Sequence, residues 1–128
     1  MIKTIKLKWS KVYSYNEMST LFIPEMKGVY EICVKYNDGY HRYYVGSSDI
    51  LKKRYSDHRS DSEKNSKIKN GLMSYVCGFR YALSENINDM KDAEFGLYHT
   101  HGKDIYKWNN VEPPKGSGFY TYVQIIEE

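Results

Sequence analysis

A chain of 128 residues, 41% hydrophobic and 27% charged, can bury one core and has little room for a second, so residues 1–128 are read as a single domain. It has no apolar run of about 18 residues or more, and its first nine residues alternate lysine with apolar side chains where a secretory leader would be continuously apolar. The expectation is a soluble, intracellular, cytoplasmic protein without a membrane partner. The net charge of +3 is unevenly spread. Residues 1–12 carry four lysines and no acid, residues 40–80 nine Lys or Arg against four Asp or Glu, and residues 81–128 four basic against eight acidic side chains. Cys33 and Cys77 fall in expected strands with no Cys-x-x-Cys spacing, which speaks against a zinc cluster and a disulfide framework and for two reduced thiols.

The predicted elements follow from periodicity and turn chemistry. Residues 3–13 set Ile5, Leu7 and Trp9 against Lys6, Lys8 and Ser10, a strand with one buried face. Residues 16–23 form a short helix or loop that Pro24 stops. Two strand-like runs, Val29 to Tyr36 and Tyr40 to Val45, flank Asn37-Asp38-Gly39, and together they read as an antiparallel hairpin. Ser47, Ser48 or Asp49 is suited to cap a helix from about Ile50 to Arg59, and Asp61 or Ser62 to open another ending near Asn70-Gly71. Ser74 to Leu83 is a third strand, in which Gly78 marks a bulge or close packing. Asn88 or Asp89 then caps a helix from Met90 to about His99, with Met90, Ala93 and Leu97 as its apolar stripe. After Pro113-Pro114 and Gly116-Ser117-Gly118, Phe119 to Ile126 is a last strand with Tyr120, Tyr122 and Ile126 on one face. That strand has two uses open to it, pairing across a homodimer or joining the domain's own sheet. Strands and helices do not alternate regularly, so the expected class is α+β: a small, mostly antiparallel three-stranded central sheet flanked by helices, with extra N- and C-terminal strands.

Several side chains sit where chemistry is conceivable beside an ordinary structural role. Gly28-Val29-Tyr30 and Tyr44-Val45-Gly46 place one phenol on each strand of the hairpin, and Tyr30 shares a face with Ile32 and Val34, where core packing is the common use of a tyrosine. Arg54 and His58 stack on one helix face with Ile50. A cation beside a core-facing stripe needs a partner, either Asp57 or Asp61 in a surface ion pair or a phosphate. Glu94 borders an apolar stripe, as a boundary residue or as a ligand held at a pocket. Arg42, Lys52, Lys53 and Arg59, interleaved with Tyr40, Tyr43, Tyr44 and Tyr55, are either solvated helix faces or contacts to a nucleic-acid backbone. His99 and His101 are two apart, face different directions on a helix and have no cysteine nearby, a weak metal signal.

The two tripeptides resemble those from which the GIY-YIG nucleases take their name. In that family an arginine follows the second tripeptide by about eight residues, often with a histidine one turn later, and a glutamate on a later helix precedes an asparagine by about fifteen. Here Arg54 is eight beyond Gly46, His58 four beyond Arg54, and Asn109 fifteen beyond Glu94. The resemblance covers about residues 25–112, leaving an N-terminal extension, 1–24, and a C-terminal one, 113–128. Three departures stand: 13 residues between the tripeptides where the family has fewer, valine for isoleucine in both, and an adjoining Asn110 that leaves the asparagine open by one place. The resemblance implies hydrolysis of DNA phosphodiester bonds with a single Mg2+ (or Mn2+) held by Glu94, and Arg54 pairing with phosphate oxygens. It also implies Tyr30 as base with His58 its rival, Tyr44 positioning water or phosphate, and Asn109 steadying the site. DNA would be the partner, with a homodimer for double-strand cleavage. The alternatives are a catalytically inactive nucleic-acid-binding module of the same fold and a domain in which the tyrosines only pack.

Overall fold

A computed structural model describes residues 1–116 and 122–128. Its strands are β1 (Ile2–Leu7), β2 (Tyr13–Ser14), β3 (Gly28–Tyr36), β4 (Gly39–Ser48), β5 (Cys77–Leu83) and β6 (Tyr122–Glu127). The helices are α1 (Leu51–Arg59), α2 (Ser66–Ser74) and α3 (Ile87–His101), with a 3-10 turn at Met18–Phe22. The class is α+β. The central antiparallel sheet runs in the order β2-β5-β3-β4 and so gains the two-residue β2 beyond the three strands expected.

β3 lies between β4 and β5 and is covered on both faces. Period-two alternation sends Tyr30, Ile32 and Val34 into a core with Leu51 and Tyr55 of α1, Ile68 of α2 and Phe79 of β5. The opposite face sets Val29, Val45 and Ala82 against Ala93 and Leu97 of α3. Glu31 shares that second face and is fully buried. It is held by Arg80, whose Nη2 lies 2.5 Å from Oε1, and by the Tyr106 hydroxyl, which donates to Oε2 at 2.6 Å. A carboxylate in a core needs this many donors, because desolvating it unpaired costs several kcal/mol.

The predicted strand over 3–13 divides in two. β1 leaves the central sheet and pairs in parallel with β6, Ile2 opposite Tyr122 through Leu7 opposite Glu127, while Tyr13 and Ser14 pair with Phe79 and Gly78 of β5. Between them Ser10 exchanges bonds with Tyr81, its amide donating to the carbonyl at 2.7 Å and its hydroxyl accepting from the amide at 3.0 Å. β6 is thus paired within its own chain, in a second sheet that packs on α3, where Gly96 leaves room for Val123 and Ile125. Phe119 and Tyr120, the start of the predicted last strand, lie outside the described residues.

Helix starts differ from the expected ones because other side chains do the capping. Asn65 accepts from the amides of Lys67 and Ile68, so α2 begins at Ser66 and not near Asp61. Asn86 accepts from the Asp89 amide at 2.8 Å, so α3 begins at Ile87. α1 has no side-chain cap; Ser48 bonds the Ile50 amide in the turn before it. Both cysteines are free and buried, burial pushing Cys33 up to about 12 and Cys77 to about 11. Among the described residues no helix is long and apolar enough to cross a membrane.

Candidate functional site

Gly46 stands directly opposite Tyr30 in the β3–β4 ladder, and the absence of a side chain there is what lets the phenol lie flat across β4. A Cβ at this position would fall 2.5 Å from Tyr30 Cζ and 2.9 Å from Cε1, inside any real carbon contact. The first strand's tyrosine and the second strand's glycine are therefore one packing unit. Tyr30 is only 1% exposed, its ring stacked on Phe79 with centroids 5.1 Å apart.

At the far end of that ring the hydroxyl lies 2.6 Å from His58 Nε2, and His58 Nδ1 lies 2.8 Å from Glu63 Oε2. Burial holds the His58 pKa below its usual 6.5 against the pull of Glu63, so the ring is neutral near pH 7. A carboxylate can only accept, so Nδ1 carries the proton and Nε2 accepts from the phenol. Burial also raises the Tyr30 hydroxyl well above its ordinary value, with Tyr44 adding to the rise and Arg54 opposing it. The resting arrangement is a protonated phenol donating to a neutral imidazole backed by a carboxylate.

Beside it opens a cleft of about 420 Å3 whose walls include Tyr44, Glu63, Glu94 and Asn109. Tyr44 is tilted against Tyr30 and edge-on to His58, with centroids 6.1 and 5.6 Å away. Its hydroxyl is pushed up to about 12, by burial first and then by Glu94. Glu94 reaches in from α3, and the Ser47 hydroxyl donates to its Oε1 at 2.7 Å. Burial raises the Glu94 carboxyl despite that bond and the nearby charges of Lys91 and Arg54. Arg54, exposed on α1, makes no ion pair among the described residues, with either Asp57 or Asp61; Asp57 pairs instead with Lys53 at 3.0 Å. Yet its charge is felt at Tyr30, Tyr44, His58 and Glu94 alike.

Asn109 holds the frame. Its side chain accepts from the Val45 amide at 3.0 Å and donates to the Val45 carbonyl at 2.9 Å, mimicking one more ladder pair on β4, the outer strand of the sheet. Of the two adjoining asparagines, Asn109 makes these bonds and Asn110 is exposed.

The nucleic-acid candidates separate. Arg42 is turned to the α3 face, where Nη2 pairs with Glu127 Oε1 at 2.6 Å and Nε lies 3.5 Å from Glu31 Oε2, so its charge is spent inside the fold. Lys52, Lys53 and Arg59 remain on α1, and Arg59 lines a separate hollow of about 290 Å3 with His58 and Lys69. His99 and His101 do face apart, toward Glu112 at 2.6 Å and Glu127 at 2.9 Å. Two participants were not singled out beforehand as site residues: Glu63, in the link between α1 and α2, and Ser47, weighed only as a helix cap.

Among the described residues no three His, Cys, Asp or Glu side chains are grouped to hold a metal. Of the two carboxylates on the cleft wall, Glu63 has both oxygens bonded, to His58 and to the Asn65 amide, whereas Glu94 is desolvated and has no bond to Oε2 among the described residues, so Glu94 is the donor left for a cation. One carboxylate on a hard divalent ion that keeps most of its water suits magnesium, so the residues fit. Comparison of the chain with protein-family models and with curated proteins finds no match.

Proposed function

We propose that the chain is a divalent-metal-dependent endonuclease of the GIY-YIG type, hydrolysing DNA phosphodiester bonds. The observation that carries this reading is the convergence of Tyr30, Tyr44, His58 and Glu94, from two strands and two helices, beside one cleft, within the field of Arg54, which has no ion pair among the described residues. Arg54 is exposed, makes no ion pair among the described residues and acts electrostatically on three phenol or imidazole groups and a desolvated carboxylate, so it is free to take an anion at their edge. A phosphodiester is such an anion.

In this reading Arg54 pairs with the non-bridging oxygens and stabilises the charge that grows on them. Tyr30 takes the proton of the attacking water as its own passes to His58 Nε2, 2.6 Å away, so the phenol needs no lowered pKa of its own. Tyr44, on the cleft wall, orients water or phosphate. Ser47 fixes the Glu94 carboxylate, which would hold the Mg2+ or Mn2+ ion. That ion would supply a Lewis acid for the phosphoryl and leaving oxygens. Lys52, Lys53 and Arg59 on α1 would receive the DNA backbone, and each chain would cut one strand, double-strand cleavage taking a second copy.

Nicking of supercoiled plasmid, with and without EDTA, tests this. Wild type should nick with Mg2+ or Mn2+ and not with EDTA, whereas Glu94→Gln and Tyr30→Phe should fold and fail to nick. Activity surviving Glu94→Gln would remove the metal assignment. DNA binding with no cleavage under any metal would assign the chain to the inactive module of the same fold.

A further inference from the structure

We propose that Glu63 is a positioning residue for this reaction, holding His58 in the one tautomer that can take the proton of Tyr30. The inference rests on the function proposed above and extends it beyond the residues that the tripeptide spacing selects. Three observations carry it. Glu63 Oε2 lies 2.8 Å from His58 Nδ1, and His58 Nε2 lies 2.6 Å from the Tyr30 hydroxyl, so carboxylate, imidazole and phenol form one line. Glu63 Oε1 accepts from the Asn65 amide at 2.9 Å, so the second oxygen is also committed and the carboxylate cannot rotate freely. Asn65 is itself fixed, because its Oδ1 caps α2 and its Nδ2 donates to the Trp108 carbonyl at 2.9 Å.

The remaining groups around the ring do not perform this task. Tyr30 of β3 occupies Nε2, and Tyr44 of β4 touches the ring edge-on. Arg54 and Asp57 of α1 act on it through space, and Arg59, Asp61 and Lys69 share the hollow behind it. Glu63 is the group bonded to Nδ1. An acceptor there requires Nδ1–H and leaves the Nε2 lone pair facing the phenol. The proton balance is then complete. Water gives one proton to the Tyr30 oxygen as the Tyr30 O–H breaks toward Nε2; the new hydroxide forms the O–P bond and the P–O bond to the leaving sugar oxygen breaks. His58, now cationic beside Glu63, returns its proton to solvent, and the leaving oxygen takes one from solvent.

The experiment combines nitrogen NMR of the His58 ring with plasmid nicking. In the wild type at neutral pH, Nδ1 should carry the proton; finding it on Nε2 overturns the proposal without any variant. In Glu63→Gln one acceptor oxygen is replaced by an NH2 that can donate to an unprotonated Nδ1, so both tautomers find a partner, the single Nδ1–H tautomer should be lost, and kcat should fall about 10- to 100-fold with KM unchanged. Introduced into a His58→Ala background, Glu63→Gln should cost nothing further; an equal loss there would make Glu63 merely structural. If Glu63→Gln does not fold, Glu63→Asp, which withdraws the same acceptors by one methylene, is measured instead and should lose tautomer purity and kcat together. A wild type that nicks no DNA with any divalent ion defeats the nuclease reading, and the ring tautomer still decides whether Glu63 sets His58.

Discussion

Replacing Gly46 by alanine tests whether the second tripeptide's glycine exists to seat the first tripeptide's tyrosine. The new Cβ would stand 2.5 Å from Tyr30 Cζ and 2.9 Å from Cε1, against the 3.0 Å below which real Cβ atoms essentially never approach another heavy atom. Restoring an ordinary contact of about 3.5 Å moves the ring about 1 Å. The ring cannot absorb that by swinging into solvent, because Tyr30 is 1% exposed and backed by Phe79. The same displacement stretches the 2.6 Å bond to His58 past hydrogen-bonding range. Overpacking and an unsatisfied buried hydroxyl then cost about 2 to 5 kcal/mol together. Urea unfolding of Gly46→Ala measures that loss, and the His58 ring signals report the broken bond. Combining Gly46→Ala with Tyr30→Leu, which has no atoms at the Cζ position, should cost less than the two single changes added. A Gly46→Ala protein within about 0.5 kcal/mol of wild type, its His58 signals unchanged, would refute the argument.

Asn109→Ala removes both side-chain bonds to Val45 and should lower stability by about 1 to 3 kcal/mol, while nicking per folded molecule falls little; a large loss of nicking with stability intact would place Asn109 on the substrate. Glu31→Ala takes from Arg80 its close carboxylate and from the buried Tyr106 hydroxyl its acceptor, while Arg42 keeps Glu127, and should cost about 3 to 5 kcal/mol by urea titration. A loss below about 1 kcal/mol would mean that water screens this cluster. His58 has a folded pKa below the unfolded 6.5, so its contribution is present above pH 6.5 and lost as pH falls through the folded pKa. Wild type should therefore lose stability as pH falls below about 6.5 more steeply than His58→Gln, and equal slopes would show that the ring titrates as in water.

What could be read from the chain was set by short-range physics. Asn37-Asp38-Gly39 specified the hairpin, and Gly39 does take a φ of +119°. The helix starts differ because the cap is the residue whose oxygen meets free amides in the folded chain: Asn65 caps α2 where Asp61 or Ser62 was expected, and Asn86 caps α3 where Asn88 or Asp89 was expected. Ser47 was legible as a cap and is instead bonded to Glu94, 47 residues away. Arg42 looked like a phosphate contact beside Tyr43 and Tyr44, but its partner Glu127 is 85 residues distant. Glu63 is only five residues from His58, yet it sits in a link between helices where no periodicity says which way a side chain points.

The two faces of β3 explain why a buried ionic cluster and a candidate active site share one strand. Tyr30 and Glu31 are consecutive, so in a strand they must point oppositely, and a slip of one residue would exchange them. Placing Glu31 against Arg80, Arg42 and Tyr106 makes that slip prohibitive, because the carboxylate would then lie among Leu51, Tyr55 and Phe79 with no donors. The same register sets Tyr30 opposite Gly46 and within reach of His58. Glu31 is not among the described residues that line the cleft, yet the position of the phenol depends on it. A charge buried on one side of the sheet therefore fixes, through backbone alternation alone, the placement that chemistry on the other side requires.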